Sequence, residues 1–347
     1  MRFSVMIWPH SSRTVEPLVS LARTAEECGF HTVYVGDSQM IWNDVYIALA
    51  CCAQRTERVK LGPGVTNLIT RHPAVTANAI TSLNMVSHGR AVLGIGAGDS
   101  AVRTAGLSPA KLPQMRAGIE FLRGLLSGRE VETPTTEFAG EKRTWGRETR
   151  VRVVGAEEWG KVPIYAAVMS PKAATMAGEV ADGVIVDGHM GGNAEGAMAT
   201  VEAASEGAHR AGKDPSSLQF IAAIDAAIDN DRTKALDRVR ATAARNIAGK
   251  TWLPNTLGRE HAAVVEQVTK AYRFYEHLDL TAQHRHLIPD EVAAKCTIAG
   301  TPADCINKAH ELKKAGMTEI AMFITTQDEE ASRVILERFA REVIPYA

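Results

Sequence analysis

Short apolar runs alternate with helix-like stretches eight times along this chain, and that rhythm limits the fold more than any other feature of the sequence. The first run, Phe3 to Trp8, leads to a helical stretch from Val15 to Cys28, closed by Gly29 as a helix end commonly is. Thr32 to Val35, β-branched and aromatic, ends at Gly36-Asp37 and precedes an Ala-rich helix over Asp44 to Arg55. Val59 to Val65 is the third strand. Pro73 opens the third helix in its first turn, where the missing N–H does no harm. Ala91 to Ile95 and a helix from about Pro113 to Leu126 form the fourth unit. Val162 to Val168, Val184 to Asp187, Leu218 to Ile228 and Glu319 to Thr325 supply four more strands, with helices from about Lys172, Asn193, Arg232 and Asp328.

Eight such units in 347 residues predict an α/β fold, a single-domain (β/α)8 TIM barrel over residues 1–347. A doubly wound sheet would need a Gly-rich phosphate loop after its first strand, and Pro9-His10-Ser11-Ser12 is not one. Two stretches break the rhythm. Residues 127–162 read as an inserted hairpin or loop, and residues 249–296 as a mostly helical insertion before strand eight.

Charge excludes two classes of partner. Lys plus Arg is 39 and Asp plus Glu 40, a net charge of -1, so no long-range field draws nucleic acid or an anionic membrane. No apolar stretch approaches the roughly 20 residues that span a bilayer. The apolar run at the N-terminus is too short for a signal peptide. The five cysteines, Cys28, Cys51, Cys52, Cys296 and Cys305, are odd in number and contain no Cys-x-x-Cys pair. Free thiols in a reducing compartment follow, which places the protein in the cytoplasm.

In a barrel of this kind the strand C-termini and the loops after them carry the chemistry. That rule selects Pro9 and His10, Asp37 and Ser38, Gly64 to Asn67, Gly98 and Asp99, Val168 to Ser170, Asp187 to His189, and Thr325. Leu61-Gly62-Pro63-Gly64-Val65-Thr66-Asn67 places two glycines and a proline at a strand end, which suits either unusual backbone geometry near a ligand or a plain capped turn. Gly94-Ile95-Gly96-Ala97-Gly98-Asp99 departs from the dinucleotide fingerprint, because its last required glycine falls at Asp99. Its alternating glycines fit a flat ligand against the strand or barrel-interior packing around small residues. Asp99 itself fits an acid, a base or a cap. Val168-Met169-Ser170-Pro171-Lys172 runs into a helix whose first turn makes a phosphate seat, or simply a Ser cap. His10, His72 and His189 follow strands and line a pocket or serve as ordinary polar residues. No metal site is expected: the H-E-x-x-H pattern is absent, and His284 and His286 around Arg285 make a poor ligand pair. Hydrolase-elbow and Walker A motifs are absent as well.

The set Phe3-Ser4-Val5-Met6, Ala25-Glu26-Glu27-Cys28-Gly29-Phe30, Val33-Tyr34-Val35-Gly36-Asp37 and Leu61 to Asn67 resembles the bacterial luciferase-like flavin-dependent superfamily. Pro73-Ala74-Val75-Thr76-Ala77, Ser87-His88-Gly89-Arg90-Ala91, Gly94 to Asp99 and Ala177-Gly178-Glu179-Val180-Ala181-Asp182-Gly183 add to it. Within it the sequence is most similar to methylenetetrahydromethanopterin reductase-like proteins. The resemblance implies an oxidoreductase binding FMN or the deazaflavin coenzyme F-420 at the C-terminal face. It implies a non-proline cis peptide near Gly64-Val65 against the flavin ring. Gly64, Val65, Thr66, Asn67, Gly98 and Asp99 would then line the ring, and Val168, Met169 and Ser170 would hold the phosphate. His88-Gly89-Arg90 lies at the opposite end of the barrel and reads as structural.

One departure matters. Many members of the superfamily carry Asp-His after strand two, and here the pair is Asp37-Ser38. A serine needs an activating partner to serve as a base, so alcohol oxidation would rely on His10 or His189. His10, Asp37, Ser38 and Asp99 are therefore the catalytic candidates, and Trp8, Trp42 and His189 the substrate pocket. The favoured reading is a monooxygenase using reduced FMN, supplied by a partner flavin reductase, and O2 on a small organic substrate. The alternative is F-420-dependent hydride transfer, for whose acidic tail cations at the mouth would count. Lys172, Arg71 and Arg103 are placed to help either coenzyme. A non-catalytic flavin-binding barrel is the third reading, and a homodimer is the expected assembly.

Overall fold

The computed structural model describes residues 1–8, 14–133, 150–248, 257–273, 276, 279–324, 326 and 328–347, with the His189 side chain excepted. Twelve strands occur among them: β1 (Arg2–Ile7), β2 (Thr32–Val35), β3 (Lys60–Pro63), β4 (Thr66–Asn67), β5 (Leu93–Gly96), β6 (Val131–Glu132), β7 (Arg150–Val151), β8 (Ile164–Val168), β9 (Gly183–Asp187), β10 (Gln219–Ile228), β11 (Thr297–Gly300) and β12 (Glu319–Ile324). All but β6 and β7 belong to one parallel sheet, ordered β3-β2-β1-β12-β10-β9-β8-β5-β4. Because β3 and β4 are consecutive halves of one stave, that order closes on itself and the sheet is an eight-stave barrel. Thr66 pairs with Ile95, and Leu61 bridges to Ala91, across the closing seam. The (β/α)8 TIM barrel expected from the sequence is the fold.

Strands buried on both faces need unbroken apolar runs, and these have them. Met6, Tyr34, Tyr165, Ile185, Ile221 and Ala321 fill the interior. Phe3, Val5, Ile7, Val33, Val35 and Ile320 face outward onto the helices. Helix caps follow the sequence: Asp44 caps Val45–Ala53 by accepting from the Tyr46 and Ile47 amides, and Ser170 caps Pro171–Val180. Helices Pro73–Val86, Leu112–Leu126, Ala194–Arg210, Arg232–Ile247 and Glu329–Glu342 lie within a residue or two of the expected stretches.

One barrel-sheet strand was not anticipated. β11 pairs with the far half of β10, Asp225 opposite Thr297 and Ile228 opposite Gly300, so the ten-residue β10 extends past the barrel to meet it. β11 has only four residues, and Thr301, directly after Gly300, already belongs to the capping box of the next helix. Between residues 127 and 162 the described part includes the antiparallel β6–β7 pair. Between 257 and 296 helices Ala262–Ala271 and Asp290–Cys296 pack with two 3-10 turns. All five cysteines are free. No helix among the described residues is long and apolar enough to cross a membrane.

The N-terminal end of the barrel is a stability device. The Arg90 guanidinium donates to the carbonyls of Ser87, Val59, Ala53 and Thr56 and to the Thr56 hydroxyl, tying three connections together. The Glu26 carboxylate accepts the amides of Glu57, Arg58 and Val59.

Candidate active site

At the C-terminal mouth, the peptide bond between Gly64 and Val65 is cis, where the family resemblance implies one. Val65 sits with Ala167 from β8 and Phe323 from β12 above the interior cluster, all three partly exposed, and together they make an apolar floor. The alternating glycines of β5 serve that floor. A Cβ on Gly94 would fall 2.4 Å from the Pro63 carbonyl oxygen, and one on Gly96 3.0 Å from Val65 Cγ2. Barrel-interior packing is thus enough to account for both residues, and a ligand against the strand is not needed to explain them.

Asp37 is buried and held from two sides. It accepts from the Thr66 hydroxyl at 2.7 Å and from Arg71 Nη1 at 2.5 Å. Arg71 in turn reaches Asp44 at 2.7 Å, so one guanidinium joins the end of β2 to the cap of the following helix. Burial raises the Asp44 pKa, but hydrogen bonds from Arg71 and from the Ile47 and Tyr46 amides outweigh it and hold the carboxyl below its usual range. Burial works to lower the Arg71 pKa, and the two carboxylates more than reverse that. The Asp37 carboxylate is thus clamped between the Thr66 hydroxyl and the Arg71 guanidinium. Ser38 is also buried; its hydroxyl accepts from Ser100 at 3.0 Å and its carbonyl accepts the Ile41 and Trp42 amides. No base able to activate it touches it among the described residues.

The remaining expected residues divide by location. Thr66 faces Asp37 and is fully buried. The Asn67 side chain turns back onto its own loop, accepting the Ile69 and Thr70 amides. Gly98 has φ of 94°, and Asp99, exposed at the mouth, pairs with Arg103 at 2.7 Å. Val168 is buried, whereas Met169 and Ser170 are exposed at the N-terminus of helix Pro171–Val180 together with Lys172. The Ser170 hydroxyl accepts the Ala173 amide at 3.3 Å. Trp8 and Trp42 meet with ring centroids 5.3 Å apart, and Trp8 meets Phe323 edge-on at 5.2 Å. Gly36 makes room for this, since a Cβ there would lie 2.7 Å from the Trp42 ring. His10 and Thr325 lie outside the described residues. His189 lies in the short helix Gly188–Gly191 after β9, with its side chain outside the description.

Two of the cations assigned to the coenzyme are thus already engaged. Arg71 holds two carboxylates and Arg103 one, which leaves Lys172 as the one of the three beside the Ser170 helix start.

Sequence reasoning missed a second buried ion pair. Asp225, in the middle of β10, receives Arg245 Nη2 at 3.2 Å on each oxygen and Asn246 Nδ2 at 2.8 Å. Burial pushes the Asp225 carboxyl up, against the pull of Arg245 and Asn246, and the net shift is upward. Arg245 stacks on Trp8, with its guanidinium carbon 4.7 Å from the ring centre, and lies 5.3 Å from that of Phe323. The signal available in sequence was an acid inside the apolar run Ile221 to Ile228. Elsewhere, Glu260, His261 and Glu291 have the spacing of metal ligands, but Lys295 Nζ lies 3.4 Å from the imidazole and 3.5 Å from Glu260. His284 is buried against Tyr272.

Comparison with known proteins bears on this arrangement. The family model for luciferase-like monooxygenases matches residues 1–319. The 5,10-methylenetetrahydromethanopterin reductase of Methanolobus tindarius is 32% identical over 324 residues, covering 92% of this chain and 93% of the relative. The F-420-dependent glucose-6-phosphate dehydrogenase of Amycolatopsis mediterranei is 25% identical, covering 94% of this chain and 93% of its own. Among solved structures, the coenzyme F-420-dependent tetrahydromethanopterin reductase from Methanopyrus kandleri superposes with a TM-score of 0.80 at 25% identity, over 100% of this chain and 99% of the other.

Proposed function

The chain belongs to the luciferase-like monooxygenase family, an enzyme family, and from that premise we propose that it is an oxidoreductase transferring hydride between coenzyme F-420 and a small organic substrate. The observation that carries this reading is that relatives similar along nearly the whole chain are named as reductases and as F-420-dependent enzymes. It takes precedence over the oxygenating, FMN-dependent reading favoured from sequence, which the description of the matching family model supports at the level of the family.

The residues present fit such a coenzyme. Val65, Ala167 and Phe323 offer a partly exposed apolar floor for a flat ring. The start of helix Pro171–Val180, with Ser170 and Lys172, offers the Lys172 amide, a hydroxyl and a cation for a phosphate. When bound, the deazaflavin supplies or accepts the hydride. Trp8, Trp42 and Phe323 wall the adjoining space and exclude water from the polarised double bond. Asp37 and Ser38 act by position: with Asp37 held by Arg71, strand two supplies no base for an alcohol proton. Asp99, exposed at the mouth, and His10 after β1 remain the groups assigned to proton handling. The whole of residues 1–347 works as one domain.

Equilibrium titration of the purified protein with F-420 and with FMN, each oxidised and reduced, tests the reading. Tighter binding of F-420 is expected. Selective binding of reduced FMN with oxygen uptake would overturn it.

A further inference from the structure

The N-terminal end of the barrel, opposite the mouth, holds an open cavity of about 370 Å³. Its polar lining is Arg2 at the start of β1, Glu26 near the end of helix Glu16–Glu27, His31 before β2 and Arg58 before β3. Phe30 and Val59 are among its apolar walls. That volume lies at the small end of ligand pockets, so it suits a small molecule and not a nucleotide or a peptide.

The charges around the cavity do not cancel. The exposed Arg58 guanidinium makes no ion pair or hydrogen bond among the described residues; only its amide is held, by Glu26. Lys60, whose amide donates to the His31 carbonyl at 3.1 Å, makes no ion pair among them either. The carboxylates nearby are already engaged. Glu26 accepts the amides of Glu57, Arg58 and Val59. Buried Glu319 accepts from the Tyr34 hydroxyl at 3.4 Å and lies 3.6 Å from Arg2 Nε. Arg2 is 38% exposed, so its guanidinium reaches the cavity while it holds Glu319. His31 reports the balance: burial, then the charges of Lys60 and Arg2, hold its pKa at about 4, and no carboxylate counters them. At pH 7 the cavity therefore presents a neutral imidazole in a field set by cations.

We propose that this cavity is a second ligand site, separate from the coenzyme site, and that it takes a small organic phosphate: Arg58 and Arg2 pair with the phosphate oxygens, His31 donates an N–H to one of them, and Phe30 and Val59 pack against the organic part.

The three donors come from three separate stretches of chain around one space. A phosphate monoester has three terminal oxygens and two charges, enough to meet all three, whereas a carboxylate has two oxygens and one charge. An anion beside His31 favours the protonated imidazole, so binding reverses the effect of Lys60 and Arg2.

The test uses the full chain with 13C-labelled histidine, the His31 signal being the one lost in His31→Gln. Phenyl phosphate is the probe, with benzoate and phenol as comparators at fixed ionic strength and pH 7. Phenyl phosphate should shift the His31 signal saturably, benzoate should need at least about threefold more, and phenol should leave it in place. With the site filled, the titration of His31 should move from about pH 4 to above pH 5. Arg58 is exposed, so Arg58→Gln keeps the fold, and it should weaken phenyl phosphate about fivefold. Lys172→Gln, at the other end of the barrel, should leave the His31 titration unchanged, which separates this cavity from the phosphate seat assigned to the coenzyme. A His31 signal that phenyl phosphate does not move, benzoate binding as tightly as phenyl phosphate, or an Arg58→Gln variant that binds like wild type overturns the proposal. Failure of the F-420 reading would leave each of these outcomes as decisive as before.

Discussion

The Asp37 clamp separates positioning from catalysis in one substitution. Asp37→Asn keeps the shape and leaves an oxygen for the Thr66 hydroxyl, but it takes the anion away from Arg71. The two side chains are 1% and 17% exposed, so the pair lies in the regime where removing one partner costs ~3–5 kcal/mol. Asp44 keeps its 2.7 Å contact with Arg71 but is 42% exposed, and pairs of that kind return at most about 1 kcal/mol. The expected loss is therefore about 2–4 kcal/mol, read as a lower midpoint in urea unfolding. Arg71→Met in the same chain should recover part of it, because the double variant leaves no charge without its partner. Asp99→Asn, at an exposed pair, should change stability by no more than about 0.5 kcal/mol. If Asp37→Asn unfolds like wild type while its turnover falls by orders of magnitude, the reasoning is wrong and Asp37 works on the substrate.

Three further outcomes follow from single sites. Gly98→Ala places a Cβ at φ 94° and 2.3 Å from Val102 Cγ2, and should cost about 1–3 kcal/mol in urea unfolding. Arg90→Met removes five hydrogen bonds at the N-terminal end of the barrel, and should cost about 2–4 kcal/mol while a coenzyme titration gives unchanged affinity. Half-buried His31 is held at a pKa of about 4 by burial and by the charges of Lys60 and Arg2. An unfolded imidazole titrates near 6.5, so between that pH and about 4 the unfolded chain binds more protons and stability falls as pH falls. Solvent screening at a half-buried site reduces the loss to about 1 kcal/mol, and urea midpoints of His31→Gln should show a flatter profile over that window.

The barrel was legible because it rests on local rules. The apolar strand runs, Pro73 in a first helical turn and Gly29 after a helix each state their structure within a few residues of sequence. The site was legible only as positions. Asp37 was correctly placed at a strand end, but its chemistry is set by Arg71, which approaches across another loop. Gly94 and Gly96 fitted either a flat ligand or barrel-interior packing in sequence, and the structure shows them accommodating Pro63 and Val65 of the neighbouring stave. Asp225 and Arg245 meet because helix Arg232–Ile247 folds back over its own strand, and nothing in either segment alone names the other. Trp8 and Trp42 were assigned to one pocket from their places in the barrel, and they do touch.

That distribution of charge has a consequence for the coenzyme. Among the described residues at the mouth, Arg71 faces Asp37 and Asp44, Arg103 faces Asp99, and Arg245 faces Asp225. Each guanidinium has a carboxylate at hand, so a chain of further carboxylates finds no uncompensated cation cluster there. Lys172 stands exposed beside the Ser170 helix start, where it would meet the phosphate, not the tail. The acidic tail of F-420 should then lie in solvent and contribute little. Affinity should fall less than about threefold between low and physiological ionic strength, because one exposed lysine–phosphate contact is all that salt has to screen. F-420 species of different tail length should bind alike in the same titration. A steep loss of affinity with salt, or a strong gain with each added carboxylate, would mean that cations beyond these ion pairs reach the tail.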